Sequence, residues 1–334
     1  MWIDIIKLIL SLGIILLSCE LFTNGIEWLG KKMKVGDGVV GSIFSAVGTC
    51  LPETMIPIIA ILFSGNSSSS TDIGIGAIAG APFMLSTLAF FITGISVLIF
   101  WKRRGTGMEM KLNNKILSRD IGFFILVYSL GIAASFTGAG TVKAFVALVL
   151  VAAYVYYIFL TVKHDHESHG HLESLYIVKY LNLKTNMATI LFQIALALTG
   201  IILGAEFFVE NIKDISSLLG VSTLILSLII TPIATELPEK FNSIIWISKK
   251  KDTLALGNIT GAMVFQSCIP VFIGILATPW VLDEKVVVSA VLALLSALTS
   301  YLWIRLRGKL NPIPLLMGGA FYAIFIGYLV IRGF

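Results

Sequence analysis

The sequence predicts an all-α, polytopic membrane protein with ten transmembrane helices in two inverted five-helix repeats. Three observations predict it. The chain is too apolar for a soluble domain: of its 334 residues 57% are hydrophobic and 13% charged, with mean hydropathy +0.94. Soluble domains carry about 45–50% apolar and about 25% charged residues. Lysine and arginine gather in alternate connections between apolar runs. Finally, the two halves carry matching motifs at a constant spacing.

About 20 apolar residues cross the hydrocarbon core of a bilayer. Read between polar breaks, the runs are 3–29, followed by Lys31, Lys32 and Lys34; 36–64, followed by the polar stretch Gly65–Ser70; 72–101, followed by Lys102, Arg103 and Arg104; 119–137; 141–162; 187–213; 220–248, followed by Lys249, Lys250 and Lys251; 253–279; 285–305; and 312–331. Several exceed 25 residues, which implies tilt or a break. Eighteen of the 24 lysines and arginines lie in the connections after spans 1, 3, 5, 7 and 9, against four on the other side. That asymmetry predicts odd-numbered connections in the cytoplasm and both termini outside, in the plasma membrane.

The net charge of +5 therefore belongs to short topogenic loops and not to a nucleic-acid-binding face. Lys7 and Glu20 interrupt the first run, which does not read as a cleaved signal. Cys19, Cys50 and Cys268 all lie inside apolar runs, which argues against a disulfide framework.

An internal repeat organises the spans. Leu17-Ser-Cys-Glu20-Leu-Phe22 matches Leu203-Gly-Ala-Glu206-Phe-Phe208, and Thr49-Cys-Leu-Pro-Glu53 matches Thr235-Glu-Leu-Pro-Glu239, both at an offset of 186 residues. Gly76-Ala-Ile-Ala-Gly80-Ala81 matches Gly257-Asn-Ile-Thr-Gly261-Ala262 at an offset of 181, which assigns five extra residues to the Gly65–Ser70 stretch. Five spans per copy is an odd number, so the second copy enters the membrane with opposite polarity. The boundaries are 1–162 for the first repeat (motif 48–85), 163–185 for a cytoplasmic loop, and 186–334 for the second repeat (motif 231–266). Inverted repeats place substrate sites near the midplane, where the halves meet.

Glu53 falls near the centre of span 2, and Glu236 and Glu239 near the centre of span 7. An ionised acid at that depth costs at least about 2.5–3.5 kcal/mol, so three cost on the order of 8–10 kcal/mol unless cations, protons or basic partners neutralise them. The nearby base is Lys240, adjacent to Glu239; it could form a Glu–Lys packing pair there. It leaves Glu53 unexplained, because the first half has Thr54 at the matching position. Pro52 and Pro238 precede the acids and are expected to free carbonyls near Gly48–Thr49 and Ala234–Thr235. In lipid such carbonyls need protein, a wet cavity or a cation.

The Gly76-x-x-x-Gly80 and Gly257-x-x-x-Gly261 patterns let spans 3 and 8 approach other backbones, expected to be the broken parts of spans 2 and 7. Gln266 and Asn258 would then face the cavity. Glu20 and Glu206 fit access paths and helix packing equally. The run His164-Asp-His166-Glu-Ser-His169-Gly-His171 suits zinc, copper or nickel, or simply a solvated linker.

The paired Thr-x-Leu-Pro-Glu motifs, Gly257-Asn258-x-x-Gly261 and the Glu-x-Phe pattern at Glu20 and Glu206 resemble the two alpha-repeats of the calcium/cation antiporter superfamily, which includes sodium/calcium exchangers. The resemblance covers nearly the whole chain. It implies alternating access, with the long first and sixth helices sliding over a fixed core. It also implies that Glu53 and Glu239 are the paired cation-binding glutamates and that Thr49 and Thr235 supply oxygens. The chain departs from the family pattern at Cys50 and Glu236, where the family has serine, and at Ala77, Ala81, Ala262, Leu85 and Gln266. Oxygen is thus lost in the first half while a carboxylate is gained at Glu236, which weakens sodium coupling and favours protons.

These residues point to secondary-active exchange of a divalent cation, Ca2+ first, for Na+ or H+. Calcium takes about 6–8 oxygens, and Glu53, Glu236, Glu239, Thr49, Thr235, Gln266 and freed carbonyls would supply them. The partners are inorganic cations and the lipid bilayer, with no cofactor beyond the transported ions. A proton-coupled Mg2+ or transition-metal exchanger is the alternative, and a passive cation channel with acidic rings is the rival class. An enzyme is not expected, since no His-Glu-x-x-His or nucleophile–base arrangement occurs.

Overall fold

The computed structural model describes residues 2–33, 50–64, 67–105, 108–164, 174–181 and 184–333. All secondary structure among them is helical: α1 Trp2–Lys32, α2 Leu51–Leu62, α3 Ser68–Met84, α4 Phe90–Arg104, α5 Asn114–Ala133, α6 Gly140–His164, α7 Tyr176–Leu181, α8 Met187–Leu219, α9 Thr223–Ser248, α10 Asp252–Ala277, α11 Glu284–Arg307 and α12 Pro312–Arg332. A π-helical turn, Leu85–Ala89, joins α3 to α4, and a 3-10 turn, Ala134–Phe136, follows α5.

Eight stretches are long and apolar enough to cross a membrane, and Leu51–Leu62 and Thr223–Glu236 are shorter apolar helices. Together they fall on the ten segments read from the sequence; residues 36–49 of the second segment lie outside the described ones. Span 3 is the joined α3–α4 unit, Ser68–Arg104. Its start is earlier than residue 72 because Ser67 caps the helix, its hydroxyl accepting from Ser70 N at 3.2 Å. The serines assigned to extra loop thus open a helix.

Two roles separate by burial. The most apolar stretches of α10 and α3–α4 are 72% and 61% buried, against 22% for α1 and 28% for α8. Helices α3 and α10 form the core. Helices α1 and α8 lie along one another outside it and turn Ile6, Leu10 and Leu17, and Leu191, Leu203 and Phe207, outwards. Their crossing is close: a Cβ on Gly200 would sit 2.2 Å from the Ser18 hydroxyl. A buried polar knot fixes their register. Gln193 Nε2 donates to Leu21 O (2.8 Å) and Asn24 Oδ1 (2.9 Å), and the backbone N–H groups of Tyr176 and Ile177 donate to Asn24 and Gln193.

The connections after the third, seventh and ninth spans lie together. Arg104 pairs with Asp252, Asn113 N donates to Thr253 Oγ1 (3.1 Å), and Asn114 Nδ2 donates to Gly308 O (2.5 Å). On the other side Lys143 Nζ donates to Pro279 O at 2.6 Å and Lys285 Nζ to Gly333 O at 2.9 Å. The third, seventh and ninth connections thus share one face.

Candidate functional site

The site assembles from α2, α9 and α10, which touch one another. Helix α2 begins at Leu51 with proline in its first turn. There the missing N–H has no intrahelical partner to lose, so Pro52 starts the helix and does not kink it. That corrects the reading of Pro52 as an interior break. Glu53 follows within the first turn and is 2% exposed. Helix N-termini favour anions because their free N–H groups and dipole end are positive. Thr54 Oγ1 donates to Cys50 O at 2.5 Å. Gly48 and Thr49 lie outside the described residues.

Helix α9 carries the second motif and runs unbroken through Pro232 and Pro238. This corrects the expectation of a broken span 7, and the reason is local. Side-chain hydroxyls tie the helix to itself and to α3, and α3 covers the carbonyl that Pro232 leaves without its donor. Thr235 Oγ1 donates to Thr231 O (3.0 Å), Thr231 pairs with Ser227 (3.2 Å), and Ser227 Oγ donates across to Ile73 O (2.7 Å). Pro232 leaves the Leu228 carbonyl without its helical donor, and α3 packs onto that carbonyl. A Cβ on Gly80 would lie 2.2 Å from Leu228 O and 2.7 Å from the Pro232 ring, and one on Gly76 would lie 2.4 Å from Leu224 O. The first-half glycine pattern therefore seats α3 against the second-half motif helix. Its counterpart differs: Gly261 faces only the Tyr157 hydroxyl among the described residues.

Thr235 and Glu236 are 2% and 0% exposed. Lys240 Nζ lies 3.1 Å from Glu236 Oε2, and Lys240 is 1% exposed. The sequence reading set Lys240 beside Glu239. The ion pair described joins Glu236, four residues earlier and on the same helix face. The side chain of Glu239 lies outside the described residues, as do those of Leu237 and Pro238. On α10, Gln266 is fully buried, and neither its Nε2 nor its Oε1 has a hydrogen-bond partner among the described residues. A buried amide left without hydrogen bonds costs about 1–3 kcal/mol, so the Gln266 side chain is a candidate polar ligand on α10. Asn258 is half-buried on the same helix.

Among the described residues, no three His, Cys, Asp or Glu side chains converge as a metal site. The structure thus brings Glu53, Thr235, Glu236 and Gln266 onto three mutually packed helices. Ala81 and Leu85 are fully buried, so the first half offers no side-chain oxygen there.

Glu20 is exposed and accepts from the Tyr176 hydroxyl at 2.9 Å, a packing contact with α7; Glu206 is half-buried. His166, His169 and His171, and the side chain of His164, lie outside the described residues. Two buried clusters were not read from the sequence. Arg104 donates to both Asp252 carboxylate oxygens (2.7 and 2.5 Å) and to Ile247 O (2.8 Å), while Lys111 N donates to Asp252 Oδ2 (2.8 Å). Asp120 accepts from Arg119 (2.9 Å) and from Thr260 (3.1 Å), inside the Gly257–Gly261 motif. Each joins residues at least 140 positions apart. Only Asp252 at the start of an apolar run hinted at them.

The chain matches the family described as "Sodium/calcium exchanger protein" over residues 4–163 and 189–334. It belongs to the sodium/calcium exchanger family. Among relatives of this exchanger, CaxA of Alkalimonas amylolytica, which carries the name of an antiporter, is 25% identical over 97% of this chain and 96% of its own. The fold is that of the H+/Ca2+ exchanger CAX, with TM-score 0.73 at 20% identity over 98% of this chain and 82% of that one. It is also that of the sodium–calcium exchanger NCX_Mj, with TM-score 0.57 at 20% identity over 97% of each chain.

Proposed function

We propose that this exchanger is a secondary-active antiporter that moves a divalent cation, Ca2+ first, against Na+ or H+ by alternating access. The carrying observation is the burial of Glu53 and Glu236 on touching helices, α2 and α9, in a chain that matches an exchanger family almost end to end. Glu53 and Glu239 are the exchanging carboxylates; Thr49, Thr235 and Gln266 add neutral oxygens, and Glu236 borders them. The orphaned Gln266 amide supports this set, because an ion or its water would satisfy it. The transported ions occupy the site in turn, and each neutralises acids that the bilayer interior disfavours. The repeats run 1–162 and 186–334, with 163–185 between them. The basic face is cytoplasmic and both termini are extracytoplasmic, in the plasma membrane.

The relatives divide on coupling, since CAX is named for H+ and NCX_Mj for sodium. A carboxylate gained at Glu236 favours protons, because crowded acids raise one another's proton affinity. Lys240 removes part of that crowding by pairing with Glu236, so the coupling ion is decided by experiment. Divalent uptake into proteoliposomes is measured under an imposed sodium gradient and, separately, a proton gradient. Exchange driven by one of them is the expected result. Uptake that runs equally with no counter-ion would mean a channel.

A further inference from the structure

Helix α5 reaches the two core helices at matching positions. The 181-residue offset places Ala79 of α3 opposite Thr260 of α10. The Tyr128 hydroxyl of α5 donates to Ala79 O at 3.3 Å, and about two turns earlier Asp120 Oδ2 accepts from the Thr260 hydroxyl at 3.1 Å. Asp120 is 2% exposed. Its Oδ1 accepts from Arg119 Nη2 at 2.9 Å, and the Tyr157 hydroxyl of α6 donates to the same carboxylate. An ionised carboxylate only accepts, and it offers about four lone-pair sites. It therefore suits donors that converge from α5, α6 and α10, while Arg119 compensates its charge.

This node grips α10 beside its glycine pair, since a Cβ on Gly261 would lie 3.6 Å from the Tyr157 hydroxyl. Further along, the ring of Phe265 meets that of Tyr154 edge-on at 5.4 Å. Gln266 lies about 9 Å beyond Thr260 on the same helix. It is fully buried, and neither atom of its amide has a hydrogen-bond partner among the described residues. No described hydrogen bond aims that amide, so the rotation of α10 does.

We propose that Asp120 is a positioning residue of the exchange site: through Thr260 it fixes the rotation of α10, and with it the aim of the Gln266 amide at the transported divalent ion. This rests on the antiport reading above. Asp120 and Thr260 act through Gln266 and do not themselves touch the ion.

The test measures counter-ion-driven Ca2+ uptake by the full chain in proteoliposomes, as a function of Ca2+ concentration. Thr260→Val removes the donor at nearly constant volume. It is expected to raise KM for Ca2+ about tenfold, the weight of one neutral ligand contact, and to leave the maximal rate nearly unchanged. Asp120→Leu should do the same, and Thr260→Ser, which keeps the hydroxyl, should keep KM. If Asp120→Leu does not fold, the two Thr260 variants carry the test. Gln266→Leu should raise KM by itself. Adding Thr260→Val to it should raise KM no further, because the group being aimed is gone. A node that only packs helices would lower Tm and the maximal rate with KM unchanged, and that result overturns the proposal. So does a further tenfold rise in the double variant, or a wild-type KM in Gln266→Leu; each leaves antiport standing. Absence of counter-ion-dependent Ca2+ uptake in the wild type overturns the antiport reading itself, and the proposal with it.

Discussion

At Glu53 the sequence places a carboxylate in the first turn of a proline-started helix, and the fold leaves it 2% exposed. Glutamine keeps its volume and removes its charge. Glu53→Gln is expected to lower divalent exchange by about a hundredfold, corresponding to the roughly 3 kcal/mol lost when a buried ion contact loses its charge. Thermal stability should hold or rise, because a buried acid is gone; a variant that exchanges at the wild-type rate would remove Glu53 from the site. Arg104 gives the opposite signature. Its fork grips both oxygens of Asp252 with no exposure on either side chain. Arg104→Ala strands a buried carboxylate and should cost about 3–5 kcal/mol of stability. Replacing both partners with apolar residues of similar size should recover most of that, as read by thermal unfolding in detergent.

At the scale of elements, the glycine face of α3 determines how the two motif helices meet. A methyl on Gly80 would press into the Leu228 carbonyl and the Pro232 ring, one backbone and the other a rigid ring closed onto it. Gly80→Ala should therefore cost about 1–3 kcal/mol by overpacking and should reduce exchange, because α9 shifts relative to α2. Gly327→Ala on α12, where a Cβ meets nothing within 4 Å, is the control and should lose neither. The helices themselves were legible in the sequence, since hydropathy marks where lipid begins. Their ends were less so: α8 continues to Leu219, past the predicted end at 213, because a helix does not stop where the bilayer does. The buried acids were legible because lipid makes them conspicuous. The contact of Lys240 with Glu236 was not, because it follows helical phase and not adjacency along the chain. The Arg104–Asp252 clamp joins residues 148 apart and leaves no local periodic trace.

For the whole molecule, the inward or outward sense of the basic face decides which side of the membrane each gate opens to. The contacts among the third, seventh and ninth connections put their lysines and arginines on one face. Loops of that charge are retained in the cytoplasm. Two exposed positions report opposite faces: Lys309, with its side chain 64% exposed in the ninth connection, and Ser217, exposed near the end of α8. Native Cys19, Cys50 and Cys268 are buried, so an impermeant maleimide finds little background. Added to intact cells, it should label Ser217→Cys at once and Lys309→Cys only after the membrane is opened. The reverse pattern would invert the molecule and exchange the outward and inward gates. It would leave the 3.1 Å contact between Lys240 and Glu236 untouched, because both residues belong to α9 and their spacing does not depend on which way the helix points.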